Sequence, residues 1–354
     1  MAAKQMGRSC PDMAADIPVI SIVIPLYNAA RWVLETLQSV HAQTFTQWEI
    51  VVVDDGSTDD GPALVQVEAM REARIRFFQQ ANAGPAVARH FGAQQARGEW
   101  LMFLDADDLV PPERLAKDLA AARQNPHAQV IAGSVEWFSM DGKVAHQGLL
   151  AADAELNRWR HQFHAVFNFA ALLVRREAYQ ACGGFNPDRS VFYAEDYDYT
   201  LRLLEISEFA QVTGISLRVR KHESNRSTLA ERTVIEHTLE VIRRTWQRYG
   251  VELTVEQAER LFRFWRQEPC SLNLADLQEL TGLQTSLVEA YLKKRPTAQA
   301  TTSRVWEQTL ALRLVEAQLP KAQERAVLQA EVGARGQLAA GRIRLRLFKL
   351  RWRR

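Results

Sequence analysis

From Val19 to about Arg220, short apolar runs alternate with stretches whose apolar residues recur every three or four positions. Such alternation predicts strands joined by helices, and hence an α/β region with a mostly parallel sheet covered on both faces. The first run, Val19 to Ile24, is stopped by Pro25. Val33, Leu34, Leu37 and Val40 then mark a helix, and Ile50 to Val53 a second strand. Asp54-Asp55-Gly56-Ser57 ends that strand and can cap the helix that follows. A third strand is expected at Ile75 to Phe78, a helix at Pro85 to Ala96, and a fourth strand at Trp100 to Leu104, which runs into Asp105-Ala106-Asp107-Asp108.

After about Thr228 the β-branched runs vanish, and helical sequence rich in Leu, Ala, Glu, Gln and Arg takes over. The chain therefore divides into an extension over 1–17, an α/β domain over 18–228, a helical region over 229–340 and a basic tail over 341–354. A length of 354 residues suits this division, because single cores seldom grow much past ~250 to 300 residues. The Trp residues of the helical region, Trp246, Trp265 and Trp306, are most simply packing residues.

Acidic residues thus follow two different strands, and open parallel sheets bind ligands at the carboxyl ends of their strands. A crevice ringed by Asp54, Asp55, Asp59, Asp105, Asp107 and Asp108 repels a phosphate unless a cation intervenes. Carboxylates are hard oxygen ligands suited to Mg2+ or Mn2+, which keep positions open for substrate phosphates. Any one of these Asp residues read singly is a helix cap; two clusters at strand ends point instead to a metal on a nucleotide diphosphate. The usual glycine-rich phosphate loops of kinases, P-loop enzymes and nicotinamide-dependent dehydrogenases are absent.

Forty-four basic residues against 42 acidic ones give a net charge of +2, which supplies no global attraction for nucleic acid. Cys10, Cys182 and Cys270 are too far apart for a zinc site and odd in number, which fits a reducing compartment. Residues 1–17 lack a secretory apolar run, and no stretch reaches the ~18 apolar residues needed to span a bilayer. A cytoplasmic protein is expected, with membrane contact only from that side.

Ser21-Ile-Val-Ile-Pro-Leu-Tyr-Asn28, Val52-Val-Asp-Asp-Gly-Ser-Thr-Asp59, Asn82 to Arg89 with Gly92 and Gly98-Glu99, Phe103-Leu-Asp-Ala-Asp-Asp108, Gly183-Gly-Phe185 and Glu195-Asp-Tyr-Asp198 stand in that order along the chain. Together they resemble family 2 glycosyltransferases of the GT-A fold, over about Pro18 to Ser227; His90 departs from the Asn common after the Arg. The resemblance implies an inverting transfer of a sugar from a nucleoside-diphosphate sugar, a UDP-sugar by preference, to an acceptor hydroxyl. Surface polysaccharide or glycolipid assembly is the expected setting, with a glycan or lipid-linked acceptor.

Carried onto this chain, the resemblance places Tyr27 on the uracil ring, Asp55 on the base N3 hydrogen and Asp105 near the ribose, with Pro25 also in the donor site. A ring offers its face to a base and a carboxylate only accepts, so both assignments suit the chemistry. Asp107 resembles the carboxylate that holds the divalent metal. His222 resembles a late His of the metal shell, though a lone His is more often a packing residue. Asp108 is a neighbouring ligand or a helix cap. Glu195 and Asp196 resemble the pair at the head of a helix under the acceptor, with Asp196 the general base; a helix N-terminus favours its ionised form. Arg89 either reaches donor phosphate or anchors its helix. Gly184 and Phe185 belong to the acceptor region, as a turn with a packed aromatic or as a direct contact.

Two other classes share parts of this pattern. Haloacid-dehalogenase-type phosphatases use Asp-x-Asp after a strand, but after the first strand and with a later Lys and acidic pair. A non-catalytic sugar-nucleotide binder would keep the fold, and intact Asp55, Asp105, Asp107 and Asp196 speak against it. The tail interleaves Arg342, Arg344, Arg346, Lys349, Arg351, Arg353 and Arg354 with apolar residues, a composition suited to an anionic membrane surface, to solvent or to an oligomer contact. The C-terminal helices offer a second route to oligomers.

Overall fold

The computed structural model describes residues 17–223, 225, 231–266 and 274–299, with isolated positions 302, 310 and 327. The basic tail at 341–354 and Trp306 lie outside the described residues. Eight strands form one sheet: β1 (Ile20–Leu26), β2 (Trp48–Asp54), β3 (Ile75–Gln79), β4 (Trp100–Phe103), β5 (Val130–Phe138), β6 (Val144–Gly148), β7 (Leu172–Arg175) and β8 (Phe209–Arg220). The order is β3-β2-β1-β4-β7-β5-β6, with β8 also paired to β5. β1, β2, β3 and β4 run parallel, as do β5 and β8, whereas β7 is antiparallel to both β4 and β5.

Every residue of β2, and all of β1 but one, is buried, as expected of Ile/Val-rich strands covered on both faces. The covering helices are α1 (Val33–His41), α2 (Gly61–Arg71), α3 (Pro85–Gln95), α4 (Arg114–Gln124), α5 (Ala154–His161), α6 (Arg176–Ala181) and α7 (Glu195–Ile206). Three more follow: α8 (Glu231–Arg248), α9 (Val255–Arg266) and α10 (Leu274–Lys294). α3 lies on β1 and β2, and α4 on β5 and β8.

Two sequence expectations are corrected here. β1 does not stop at Pro25; it continues to Leu26, with Pro25 in register with Val53. The carbonyl of Val23 accepts from Leu104 N, so Pro25, two residues on, turns its missing N–H toward the β4 side, beyond the last β1–β4 pair at Phe103. Proline there forfeits no ladder bond. Nor do Asp54 and Asp55 cap α2, which starts at Gly61 without a side-chain cap.

Two apolar cores result. The first is the aliphatic interior of the sheet. The second joins Trp159 and Phe163, together with Tyr197 and Leu201 of α7, to Trp246, Trp265 and Tyr291 of the last three helices. Phe163 stacks on Trp265 at 4.9 Å, and Trp159 meets Trp246 edge-on at 6.0 Å. The helices α8 to α10 therefore share a core with α5 and α7 across residue 228, the position of the expected boundary. Among the described residues no helix is long and apolar enough to cross a membrane.

Candidate active site

The ends of β1, β2 and β4 open into a crevice of about 480 Å³, closed on the far side by the start of α7. Pro25, Tyr27, Asp55, Arg89, Asp105, Asp107, Glu195 and Asp196 all line it. Tyr27 is half exposed, its ring free to take a flat partner.

Asp55 is buried and holds the loop that follows β3: one carboxylate oxygen accepts from Gln80 Nε2 (2.8 Å) and Ala83 N (2.9 Å), the other from Gly84 N (2.9 Å). A carboxylate has about four acceptor positions, so one is left for a ligand N–H. Gly84 has φ +94, and a Cβ there would stand 2.7 Å from Phe192 Cε2; only glycine fits. Asp54 turns instead to Ser57 N (3.1 Å) and Gln79 Nε2 (3.3 Å).

After β4, ligand oxygens of Asp105, Asp107 and Asp108 lie within 4.8 Å of one another. Each carboxylate is held differently. Asp105 accepts from Arg89 Nη2 at 2.6 Å, Asp107 lies 2.8 Å from His222 Nε2, and Asp108 accepts from Arg220 N at 3.0 Å. Asp108 thus ties the end of β8 to the cluster and caps no helix. Burial, reinforced by Asp105, holds the Asp107 carboxyl above the ordinary carboxylate range despite His222. Burial and the charges of Asp107 and Asp105 push Asp108 up much further. Carboxylates crowded in this way are short of positive charge, and a hard divalent cation suits the set. His222 stacks on Trp32 at 5.3 Å, while its Nδ1 is buried with no hydrogen-bond partner among the described residues.

Arg89 is 5% exposed and bridges the crevice floor, from Asp105 to Glu195 Oε1 at 3.6 Å. Burial alone would lower its pKa, but Asp105 and Glu195 outweigh it and leave the guanidinium raised. Beneath it lie the rings of Phe169 at 4.4 Å and Phe185 at 5.2 Å. Phe185 is 1% exposed and stacks on Tyr199 at 4.2 Å, so it supports Arg89 from the core and does not line the crevice. Gly184, at φ +64, is likewise off the crevice wall; a Cβ there would come within 2.6 Å of Tyr179 Cζ. Gly184 and Phe185 thus form a turn with a packed aromatic.

Asp196 stands in the first turn of α7, where its Oδ1 accepts from Tyr197 N at 2.8 Å. The helix is held to α5 by Tyr197 Oη, which donates to the carbonyl of His161 at 2.8 Å, and by the 2.9 Å contact of His161 Nε2 with Thr200 Oγ1. Sequence reasoning missed Asn82, Phe192, Tyr193, Asn225 and Val234, which also line the crevice. Asn82 heads one of the motifs quoted above, and the aromatic pair just before the acidic start of α7 was a second legible signal among them.

A mostly parallel sheet with carboxylates at its strand ends and a helix-borne Asp opposite them defines a GT-A-fold domain. Residues 21–183 match the model of the family described as Glycosyl transferase family 2. An uncharacterized glycosyltransferase of Rickettsia felis is 40% identical over 106 residues, which are 30% of this chain and 17% of that protein. The chain thus spans less than a fifth of that relative. The succinoglycan biosynthesis protein ExoO of Rhizobium meliloti is 35% identical over 168 residues, 47% of each chain. Among solved structures, S. aureus TarS 1-349 in complex with UDP-GlcNAc aligns with TM-score 0.55 at 19% identity, covering 90% of this chain and 92% of that one, and so shares the fold.

Proposed function

We propose that the protein is an inverting, metal-dependent glycosyltransferase that moves a sugar from a UDP-sugar to an acceptor hydroxyl during polysaccharide assembly. The observation that carries this reading is the cluster Asp105, Asp107 and Asp108 at the end of β4, facing Asp196 across one crevice. The family match, a succinoglycan-assembly relative and a UDP-GlcNAc complex among structures of the same fold support it.

In this reading Tyr27 and Pro25 flank the base and Asp55 accepts from it. Asp105, held by Arg89, lies toward the ribose. Asp107 and His222 would hold Mn2+ or Mg2+, which when bound neutralises charge on the diphosphate. Asp196 takes the proton of the acceptor hydroxyl, whose oxygen forms a bond to the anomeric carbon as the bond to the diphosphate breaks and the nucleoside diphosphate leaves. Glu195, tied to Arg89, keeps the head of α7 facing the cluster. The GT-A domain is residues 18–228, and the basic segment 341–354 draws the protein to an anionic cytosolic leaflet at ~1 kcal/mol per charge. Truncation after Ala340 should then abolish co-sedimentation with anionic vesicles.

The deciding experiment is nucleotide release from a panel of UDP-sugars, with and without chelator, and mass spectrometry of the product. No release with any donor, or release indifferent to chelator, would overturn the proposal.

A further inference from the structure

The wall opposite the acidic cluster is a short loop, residues 188–194, that leads into α7. Its tip carries Phe192 and Tyr193, and both line the crevice. The ring of Phe192 reaches Gly84, on the loop that Asp55 holds, and Tyr193 meets Phe192 edge-on at 5.2 Å.

This loop is fastened from outside the family-matched segment. His237 Nδ1, on α8, accepts from Tyr193 N at 3.1 Å, and the two rings lie 5.7 Å apart. About two turns further along the same face, Arg244 donates from Nη1 to Asp188 Oδ2 (2.8 Å) and from Nη2 to Ser190 Oγ (2.7 Å). Val191 and Ala194 sink into the second core, and Val234 of α8 itself reaches the crevice. A loop tied at three backbone or side-chain points and buried at two more holds a set shape.

That shape presents aromatic surface in a crevice also lined by carboxylates, Glu195 and Asp196 beside it among them. A pyranose matches both at once: its C–H face packs on an aromatic ring, and its hydroxyls donate to carboxylates. An acyl chain would match the rings but not the carboxylates beside them. We propose that residues 188–193, pinned by α8, form an acceptor subsite that stacks a sugar ring on Phe192 and Tyr193, with His237 and Arg244 as its positioning residues. The proposal rests on the glycosyltransferase reading above and extends it to the class of acceptor.

The full-length chain carries the test, with UDP as the donor-side probe and p-nitrophenyl pyranosides as acceptors. His237→Ala and Arg244→Ala should speed amide hydrogen exchange at 190–194 by about tenfold while β1 and β2 stay protected. They should raise the acceptor KM about five- to tenfold and leave UDP affinity by calorimetry within twofold. His237→Asn should recover most of the loss, since its amide oxygen can accept from Tyr193 N. Tyr193→Ala and Phe192→Leu should raise the acceptor KM as well. Unchanged exchange at 190–194 in His237→Ala overturns the positioning role whether or not the enzyme turns over. An unchanged acceptor KM, or UDP affinity that falls in step with it, overturns the sugar subsite. Failure of the wild-type protein to release nucleotide with any UDP-sugar and pyranoside overturns the activity reading instead.

Discussion

The two walls of the crevice are built by different means. On the strand-end wall, Asp55, Asp105 and Asp107 each follow a buried parallel strand within a few residues, and their carboxylates are held by amides of the loop after β3, by Arg89 and by His222. On the helical wall, the head of α7 and Tyr193 before it are held by side chains of other helices, His161 of α5 and His237 of α8, over an aromatic core. The first wall inherits its precision from the ladder of the sheet. The second depends on side-chain packing between helices, so a change far from the crevice can reach it.

The sharpest contrast comes from Asp107→Ala, which removes an oxygen ligand from the strand-end wall and leaves its packing alone. Turnover should fall below detection, by ~10³-fold or more, with an unchanged melting curve; full activity in the variant would remove the metal site from the mechanism. Trp246→Ala tests the other wall, because its ring is fully buried against Trp159 and Phe163. Denaturant unfolding should show a loss of about 3–5 kcal/mol, and a loss under 1 kcal/mol would mean that the second core is not what holds α7.

Asp196→Asn should lower transfer by ~10²-fold while UDP-sugar binding persists. An equal loss of nucleotide affinity would make Asp196 a binding residue. The smallest effect is in pH. Burial, with charged neighbours including Arg158 for His161 and Arg160 for His164, holds His161 well below its usual 6.5 and His164 at about 3. Below pH ~6.5 the unfolded chain takes up protons that the folded one refuses, so stability falls with decreasing pH, by up to ~1.4 kcal/mol per pH unit per histidine. His164→Gln should reduce that slope between pH 6 and 4; an identical slope would show that His164 is not the group refused.

The donor-facing half was largely legible in the sequence, since β1, β2, β3 and β4 lie within a residue or two of where apolar runs placed them. Legibility failed where a residue's role depends on what lies opposite. Phe185 follows two glycines near the acidic helix, but its place under Arg89 is set by Tyr199 and Phe103. Asp54 and Asp55 had the right composition for caps, and it was the distance to the next helix that sent their oxygens to other amides.

By itself the sequence determined the parallel strands, the acidic residues at their ends and the helical character of the last third, because apolar periodicity and strand-end chemistry act over a few neighbouring residues. Only the tertiary structure decided that α8 reaches back to the loop before α7, that Arg89 joins Asp105 to Glu195, and that residues on both sides of 228 share one aromatic core. Those contacts join residues tens of positions apart and are set by how helices pack on one another, for which a single chain carries no local signal.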